Sequence, residues 1–230
     1  FAEPRMIAPG EGLNYRTISL ESYANAFLSS ESGWHDSDDD LGSFPIGKRR
    51  YSGVDYDIRD FTTSPLESAV ILNNRFPQSR DAPESVTVPI HAQLDALFFL
   101  HSFVPTNANR WEPRVNRKTG EVETRDAANY TVRYADGSQI KVPVQYGRDI
   151  HDWIGEGNAT PMKGAYLAWS GPAKTEGKTL RVYQLQWSNP HPEKVVESVT
   201  LDYAKKANGR PDNWLGSPIV FGITAARAKN

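Results

Sequence analysis

One tryptophan of this chain stands in a polar, irregular stretch instead of a strand-like pattern. Trp111 lies between Arg110 and Arg114 in the sequence Asn-Arg-Trp-Glu-Pro-Arg, with few apolar neighbours to bury it. An indole ring in such a loop can stack on the apolar face of a sugar while arginine side chains bond the hydroxyl groups. Trp111, Arg110 and Arg114 are therefore candidate carbohydrate-binding residues. The alternative is that Trp111 folds back to hold its own loop.

A second group of aromatic and polar residues follows a strand-like run. Residues 146–153 read Tyr-Gly-Arg-Asp-Ile-His-Asp-Trp. Ligand sites favour strand ends where a few polar groups lie beside an aromatic wall. Four residues are candidate carbohydrate contacts: Tyr146, Arg148, Asp149 and Trp153. The alternative is a salt bridge from Arg148 to Asp149 or Asp152 that fastens a corner of the fold.

The densest acidic segment is Asp36-Ser37-Asp38-Asp39-Asp40. Several carboxylates in a tight loop can bind Ca²⁺ through oxygen ligands, so Asp36, Asp38 and Asp40 are candidate ligands of a structural calcium ion. The segment lacks the glycine and the distal glutamate of an EF-hand loop. The alternative is a solvated acidic turn whose carboxylates accept hydrogen bonds from backbone amides.

Signatures of common enzyme classes are absent from the sequence. It contains no nucleophile elbow, phosphate-binding loop, dinucleotide fingerprint or zinc-protease motif. It has no cysteine, which excludes thiolate catalysis and cysteine-based metal sites. His35-Asp36 and His151-Asp152 are adjacent pairs, but neighbours on a strand point to opposite faces. A pair of carboxylates acting as a glycosidase site stays open.

The elements that position these residues are predicted to be strands. Alternating or continuous apolar runs recur along the chain, over residues 85–90, 94–104, 130–134, 139–146, 180–187, 195–203 and 218–224. The run at 94–104 is almost wholly apolar, which is typical of a central strand buried on both faces. Asp136-Gly137 between two alternating runs predicts a hairpin. Pro143 within a run predicts an edge strand.

The alternation also assigns faces within the strands. In the run at 195–203 it aligns Val195 with Val199, Leu201 and Tyr203, and in the last run it aligns Ile219, Phe221 and Ile223. Trp169 and Trp187 fall in strand patterns and are predicted core residues. Helical periodicity is confined to one or two turns within 20–29 and one turn at 150–154. Strands without intervening helices predict an antiparallel sandwich or barrel.

The chain of 230 residues shows no internal repeat and no linker, so one domain over 1–230 is expected, with a long loop insertion at 105–128. A formal net charge of −2 makes nucleic acid a poor partner. The sequence contains no run of about 18 apolar residues, so it predicts no membrane-spanning helix. The chain starts at Phe1 without an initiator methionine, as expected of a processed or excised piece of a longer protein.

Several segments, taken in order, resemble a known family. They are Gly33-Trp34-His35-Asp36, Asp39-Asp40-Leu41, Phe44-Pro45-Ile46-Gly47, residues 51–58, residues 96–101, residues 134–137, Val142-Pro143-Val144, residues 147–153, residues 187–194 and residues 218–224. Together they are similar to the galactose-binding-like accessory domains of secreted bacterial polysaccharide-degrading enzymes. The resemblance covers about residues 15 to 225. Asp39 departs from the family's usual asparagine, and the 105–128 insertion is longer than expected.

This resemblance implies an antiparallel two-sheet jelly-roll β-sandwich, located in the periplasm, at the cell surface or outside the cell. It also implies a fused catalytic domain as a neighbour. The function expected is a non-catalytic carbohydrate-binding module that holds a polysaccharide or oligosaccharide through the residues named above. One alternative is a polysaccharide lyase or glycoside hydrolase using His101, His151, Tyr146 and Arg148. Another is a structural domain that packs on a catalytic neighbour.

Overall fold

The computed structural model describes residues 7–29, 38–59, 68–72, 82–105, 118–119, 125–159, 161–204 and 216–229. Every regular element in these ranges is a β-strand, and all paired strands are antiparallel. The prediction of an all-β, antiparallel fold is confirmed. Within the same ranges, no helix has the length and apolar character needed to cross a membrane.

Within the described residues, thirteen strands build three sheets. They are β1 (Leu13–Ile18), β2 (Gly47–Tyr51), β3 (Val54–Ile58), β4 (Val70–Ile71), β5 (Ser85–Gln93), β6 (Ala96–Pro105), β7 (Arg125–Tyr134), β8 (Gln139–Tyr146), β9 (Ile154–Glu156), β10 (Ala165–Pro172), β11 (Lys178–Ser188), β12 (Val195–Tyr203) and β13 (Gly216–Ala228). The seven-stranded central sheet has the order β1-β13-β6-β11-β10, with β4 beside β13 and β9 beside β11. The second sheet has the order β5-β12-β7-β8, and β2 pairs with β3.

The apolar run predicted as a central strand is β6, which lies between β13 and β11 in the central sheet. Nine of its ten residues, from Ala96 to Val104, are buried. Alternate residues face opposite sides of the sheet, so Phe99 belongs to one core and Phe98 to another. The central sheet is therefore covered on both faces.

The first core fills the space between the central and the four-stranded sheets. The four-stranded sheet contributes the alternating residues Val86, Val88 and Ile90 of β5, as predicted. Leu185 and Trp187 of β11 close this core from the central sheet. This is the sandwich-like part of the fold.

The second core lies on the opposite face of the central sheet. The β2–β3 hairpin covers it with Val54, Tyr56 and Ile58, and the chain before the hairpin adds Leu41 and Phe44. The hairpin thus forms a third layer on the central sheet. Its role as a third layer was not predicted, because a hairpin's own pattern does not reveal which sheet face it covers.

Two β-bulges shift the faces that alternation had assigned. In β12 the register shifts between Val196 and Ser198, so Val196 is buried whereas Val195 is 40% exposed. In β13 it shifts between Val220 and Gly222, so Ile219 and Phe221 pack in the second core and Ile223 in the first. Aligning Val195 with Val199, Leu201 and Tyr203, and Ile223 with Ile219, was therefore wrong, because one extra residue reverses every later side chain.

The remaining local predictions have mixed outcomes. Asp136-Gly137 turns between β7 and β8, and Pro143 lies in β8 at the edge of its sheet, both as expected. Residues 20–24 form a single turn, in which the Ala24 N–H donates to the Leu20 carbonyl at 2.8 Å. The chain then pairs with Ala69 instead of continuing as a helix. Residues 150–154 contain no helical turn.

Candidate functional site

Residues 146–153, called the 146–153 corner below, begin where β8 ends. Gly147 has a φ of 79°, a left-handed conformation that glycine adopts without steric cost. Its N–H donates to the Ile150 carbonyl at 2.8 Å, and the Asp149 N–H donates to the Gln145 carbonyl at 2.8 Å. The sequence Tyr-Gly-Arg-Asp therefore turns the chain back sharply at one end of the sandwich.

Asp149 fixes this turn from the inside. It is 4% exposed, and its carboxylate accepts a hydrogen bond from the Gln145 N–H at 2.9 Å. Burial raises the pKa of Asp149, although that hydrogen bond and the nearby Arg148 oppose the rise. The Arg148 Nε lies 3.7 Å from the Asp149 carboxylate, and half of the Arg148 side chain is exposed. The fastening ion pair considered from the sequence is thus present.

The corner is bonded to the central sheet through β6. The Phe103 N–H donates to the His151 carbonyl at 2.9 Å, and the Trp153 N–H donates to the Phe103 carbonyl at 2.9 Å. Trp153 is 2% exposed and belongs to the second core. Trp153 thus anchors the corner in the core, and its predicted sugar contact stays a prediction.

Tyr146 and two neighbouring corner residues form a polar group. The Tyr146 hydroxyl donates to the Asp152 carboxylate at 2.7 Å, and the His151 ring lies over Tyr146 with 4.8 Å between centroids. The Asp152 N–H donates to His151 Nδ1 at 2.8 Å, which places the ring proton on Nε2. Burial lowers the pKa of His151, and the charge of Arg181 adds to this effect. His151 is therefore a neutral donor above its lowered pKa.

Arg181 is a site residue that sequence reasoning missed. It is 5% exposed, and its guanidinium donates to the carbonyls of Glu156 at 2.7 Å and Gly157 at 2.9 Å and to the Thr179 hydroxyl at 3.1 Å. It also bonds Tyr183, whose pKa burial raises to about 12. The sequence signal that could have identified Arg181 is the strand alternation, which places it on the same face as Tyr183, Leu185 and Trp187.

His101 lies deeper, between the two sheets. Its Nε2 is 3.0 Å from the Asp149 carbonyl and its Nδ1 is 2.9 Å from the Tyr130 hydroxyl. Since a carbonyl only accepts, Nε2 carries the proton and Tyr130 donates to Nδ1. Burial lowers the pKa of His101 to about 4. Both ring nitrogens are thus engaged inside the protein.

Both boundaries of the 105–128 insertion lie against the corner. Before the insertion, Phe103 of β6 forms a bridge with Asp152. At its other end, β7 begins at Arg125, within the predicted bounds, directly opposite Tyr146 of β8. The two ends of the insertion therefore lie at the same end of the sandwich as the corner. Trp111, Arg110 and Arg114 themselves lie outside the described residues.

The acidic segment is bonded to the turn between β10 and β11. Asp39 is fully buried, and its carboxylate accepts hydrogen bonds from the Thr175 N–H at 2.8 Å and hydroxyl at 2.6 Å. Asp40 accepts from the Gly42 N–H at 2.9 Å and pairs with Lys174 at 2.8 Å. These carboxylates accept backbone N–H groups, as the alternative of a solvated acidic turn expects, but Asp39 is buried and not solvated.

The structure describes two of the three predicted calcium ligands, Asp38 and Asp40. Asp38 is exposed, and Asp36 lies outside the described residues. Among the residues that the structure describes, no three acidic, histidine or cysteine side chains form a metal-binding group. Calcium binding by Asp36, Asp38 and Asp40 stays a prediction.

Comparison with known proteins gives no relative for this chain. No family model matches it, and neither a curated protein nor a solved structure does.

Proposed function

We propose that this chain is a non-catalytic carbohydrate-binding module that holds a polysaccharide or oligosaccharide at the end of the sandwich formed by the 146–153 corner. The proposal includes a jelly-roll fold of the galactose-binding kind, a place outside the cytoplasm and a fused catalytic neighbour. All of these come from the motif resemblance. The location of the site has a structural argument of its own.

The observation that carries the proposal is that both ends of the insertion lie against the corner. The insertion leaves the sandwich beside Asp152 and re-enters opposite Tyr146. Loops that a rigid scaffold holds at the end of a sheet commonly carry binding residues. Trp111 would then supply a stacking surface within reach of the polar groups of the corner.

The corner offers chemistry suited to hydroxyl groups. Arg148 is exposed, and its guanidinium also donates to the Gln145 side chain at 3.2 Å. His151 is half-buried, with a neutral ring whose Nε2–H has no acceptor among the described residues. Asp152 supplies acceptor oxygens. One aromatic platform with a few solvated hydrogen bonds gives weak binding, with a Kd of about a micromolar to a millimolar.

The lyase alternative has less support from the geometry. A lyase needs a base that can reach the sugar. His101 is fully buried with both nitrogens engaged. The Tyr146 hydroxyl already donates to the Asp152 carboxylate, and the unprotonated Nδ1 of His151 already accepts the Asp152 N–H. Incubation with uronate polysaccharides, followed by the absorbance of unsaturated products, tests this alternative directly.

The proposal is tested with a glycan array on the purified chain. We expect retention of at least one glycan, and we expect Trp111→Ala to abolish it and Arg148→Ala to weaken it about tenfold. Two matched variants change similar residues elsewhere. Tyr166→Ala removes an aromatic ring that is 57% exposed, and Arg133→Ala removes an exposed arginine of β7. Both should bind like the parent.

Two results would contradict the proposal. If a folded parent chain bound no glycan, the proposed carbohydrate-binding function would be wrong. If Trp111→Ala and Arg148→Ala both bound glycan like the parent, the function would stand but the proposed location of the site would be wrong. The calcium prediction is checked separately by comparing the thermal midpoint in excess Ca²⁺ and in excess EDTA. A rise in Ca²⁺ that Asp38→Asn removes would support it.

A further inference from the structure

Strand β10 ends the central sheet with an unpaired side. Among the described residues β10 pairs only with β11, and its outer side makes no strand hydrogen bonds. Such an edge presents free N–H and C=O groups that can accept another strand. The side chains of an edge strand show whether it is protected against such pairing.

β10 also carries the most exposed apolar side chains of the described residues. Tyr166 is 57% exposed and Leu167 is 42% exposed, and both belong to β10. The third large apolar side chain of this kind, Val195 at 40%, belongs to β12, which is paired on both sides. Exposed apolar area therefore coincides with the free edge.

Four other edge strands carry features that discourage pairing. β2 has Lys48, Arg49 and Arg50, β8 has Lys141 and Pro143, β5 has Pro89, and β1 has Arg16. Charged side chains and prolines at an edge oppose the addition of another strand. β10 reads Ala-Tyr-Leu-Ala-Trp-Ser-Gly-Pro and contains no charged residue. Among these five edge strands, β10 alone has neither a charged residue nor an internal proline, since Pro172 is its last residue.

Tyr166 and Leu167 are neighbours on the strand, so they point to opposite faces of the sheet. A flat ligand on one face would cover only one of them. A strand added along the edge would bring its own side chains to both faces and cover both residues. Exposed apolar side chains on both faces of one edge strand therefore suit the binding of an extended polypeptide better than that of a small ligand.

We infer that β10 pairs with β10 of a second copy of this chain, antiparallel and about a two-fold axis. Because β10 is uncharged, the contact brings no like charges together within the strand. A two-fold axis perpendicular to the sheet places either Tyr166 or Leu167 opposite its own equivalent, and cross-strand aromatic and apolar pairs of this kind stabilise sheets. This inference is independent of the proposed carbohydrate function.

Two features of β10 limit the strength of this contact. The register with β11 shifts between Leu167 and Trp169, and Pro172 ends the strand, so the regular stretch is short. A short strand pair buries much less than the roughly 1,600 Å² of a standard protein interface. The dimer is therefore weak, with a Kd of about 100 μM, and forms only at high protein concentration.

Sedimentation velocity over a concentration series tests the inference. The parent chain should shift from monomer toward dimer between about 10 and 500 μM, a range that brackets the Kd expected for so small an interface. Tyr166→Lys and Leu167→Lys should each weaken dimerisation at least tenfold. Val195→Lys is the matched control, since it places the same charge at an equally exposed apolar position on a strand without a free edge. It should dimerise like the parent.

Hydrogen exchange gives a readout at the strand itself. The amides of β10 should gain protection as the parent concentration rises, and should not in Leu167→Lys. Circular dichroism at a single concentration confirms that each variant is folded. A parent that stays monomeric throughout the series would overturn the inference. So would a dimer that forms equally well in the folded Tyr166→Lys and Leu167→Lys chains.

Discussion

His101 and Tyr130 join the two sheets of the sandwich through a buried hydrogen bond of 2.9 Å. His101 comes from β6 in the centre of one sheet, and Tyr130 comes from β7 in the other. The second ring nitrogen of His101 contacts the Asp149 carbonyl at 3.0 Å, so the same imidazole also fixes the 146–153 corner. Protonation would place the second proton on Nδ1, so the ring could no longer accept the Tyr130 hydroxyl, whereas the Nε2–H bond to the Asp149 carbonyl would persist.

We expect the stability of the fold to fall as the pH drops from about 6.5 to about 4. The pKa of His101 is about 4 in the folded chain, against 6.5 for an ordinary histidine. The folded state therefore binds this proton later than the unfolded state, and the stability present above pH 6.5 is lost as the pH approaches 4. The difference of about 2.5 pH units corresponds to about 3 kcal/mol.

Urea unfolding at several pH values measures this effect. His101→Gln should lower the free energy of unfolding at pH 7.5 by about 1–3 kcal/mol, because the Tyr130 hydroxyl and the Asp149 carbonyl lose partners. The variant should also lose less of its free energy of unfolding between pH 6.5 and pH 4 than the parent does. His191→Gln is a suitable control, since half of the His191 side chain is exposed. An unchanged decline in His101→Gln would assign the pH dependence to other groups.

Gly164→Ala should damage the corner through Asp149. A methyl group at Gly164 would overlap the Asp149 carboxylate, which accepts the Gln145 N–H at 2.9 Å. Overpacking at a buried site costs about 1–3 kcal/mol. The thermal midpoint should therefore fall, and glycan retention should fall with it.

Gly12→Ala provides the control for this glycine. An added methyl at Gly12 meets no atom within 4 Å, so the thermal midpoint should stay within error of the parent. If Gly164→Ala were as stable as Gly12→Ala and kept its glycan binding, Asp149 would not be the rigid support of the corner described above.

The regular parts of this fold are predictable because their signals are local. The β6 run, the Asp136-Gly137 turn and the edge position of Pro143 each depend on a few neighbouring residues. The buried arrangement around Arg181 and His101 depends on contacts with residues far away in the chain, such as Gly157 and Tyr130. Sequence patterns identified the strands that carry these side chains but not the partners that they meet.

The bulges show the same limit at the level of a single residue. Alternation aligned Val195 with Val199 and Leu201, but the register shift in β12 buries Val196 with them in its place. The signal for a bulge is the fit of two strands, and a single strand's pattern does not contain it. Only the pairing with β5 and β7 decides which of the two adjacent valines faces inward.

This difference between the two valines is directly testable. Val196→Ala should lower the free energy of unfolding by about 1–3 kcal/mol, because a fully buried side chain loses two methyl groups. Val195→Ala should change it by less than about 0.5 kcal/mol, as is usual at an exposed position. Urea denaturation of the two variants gives the comparison. Equal losses, or a larger loss at Val195, would contradict the bulged register.

Asp39 departs from the asparagine of the family that the sequence resembles, and the structure predicts how much that departure matters. Its buried carboxylate accepts hydrogen bonds from the Thr175 N–H at 2.8 Å and hydroxyl at 2.6 Å. Asparagine can keep both contacts, since its oxygen accepts from the N–H and the threonine hydroxyl can accept from its amide. Asp39→Asn should therefore cost less than about 1 kcal/mol, whereas Asp39→Ala should cost about 2–3 kcal/mol by leaving buried donors unpaired. Thermal and urea unfolding of both variants, with the exposed Asp38→Ala as control, measure the difference. A large loss in Asp39→Asn would show that the negative charge itself holds the β10–β11 turn.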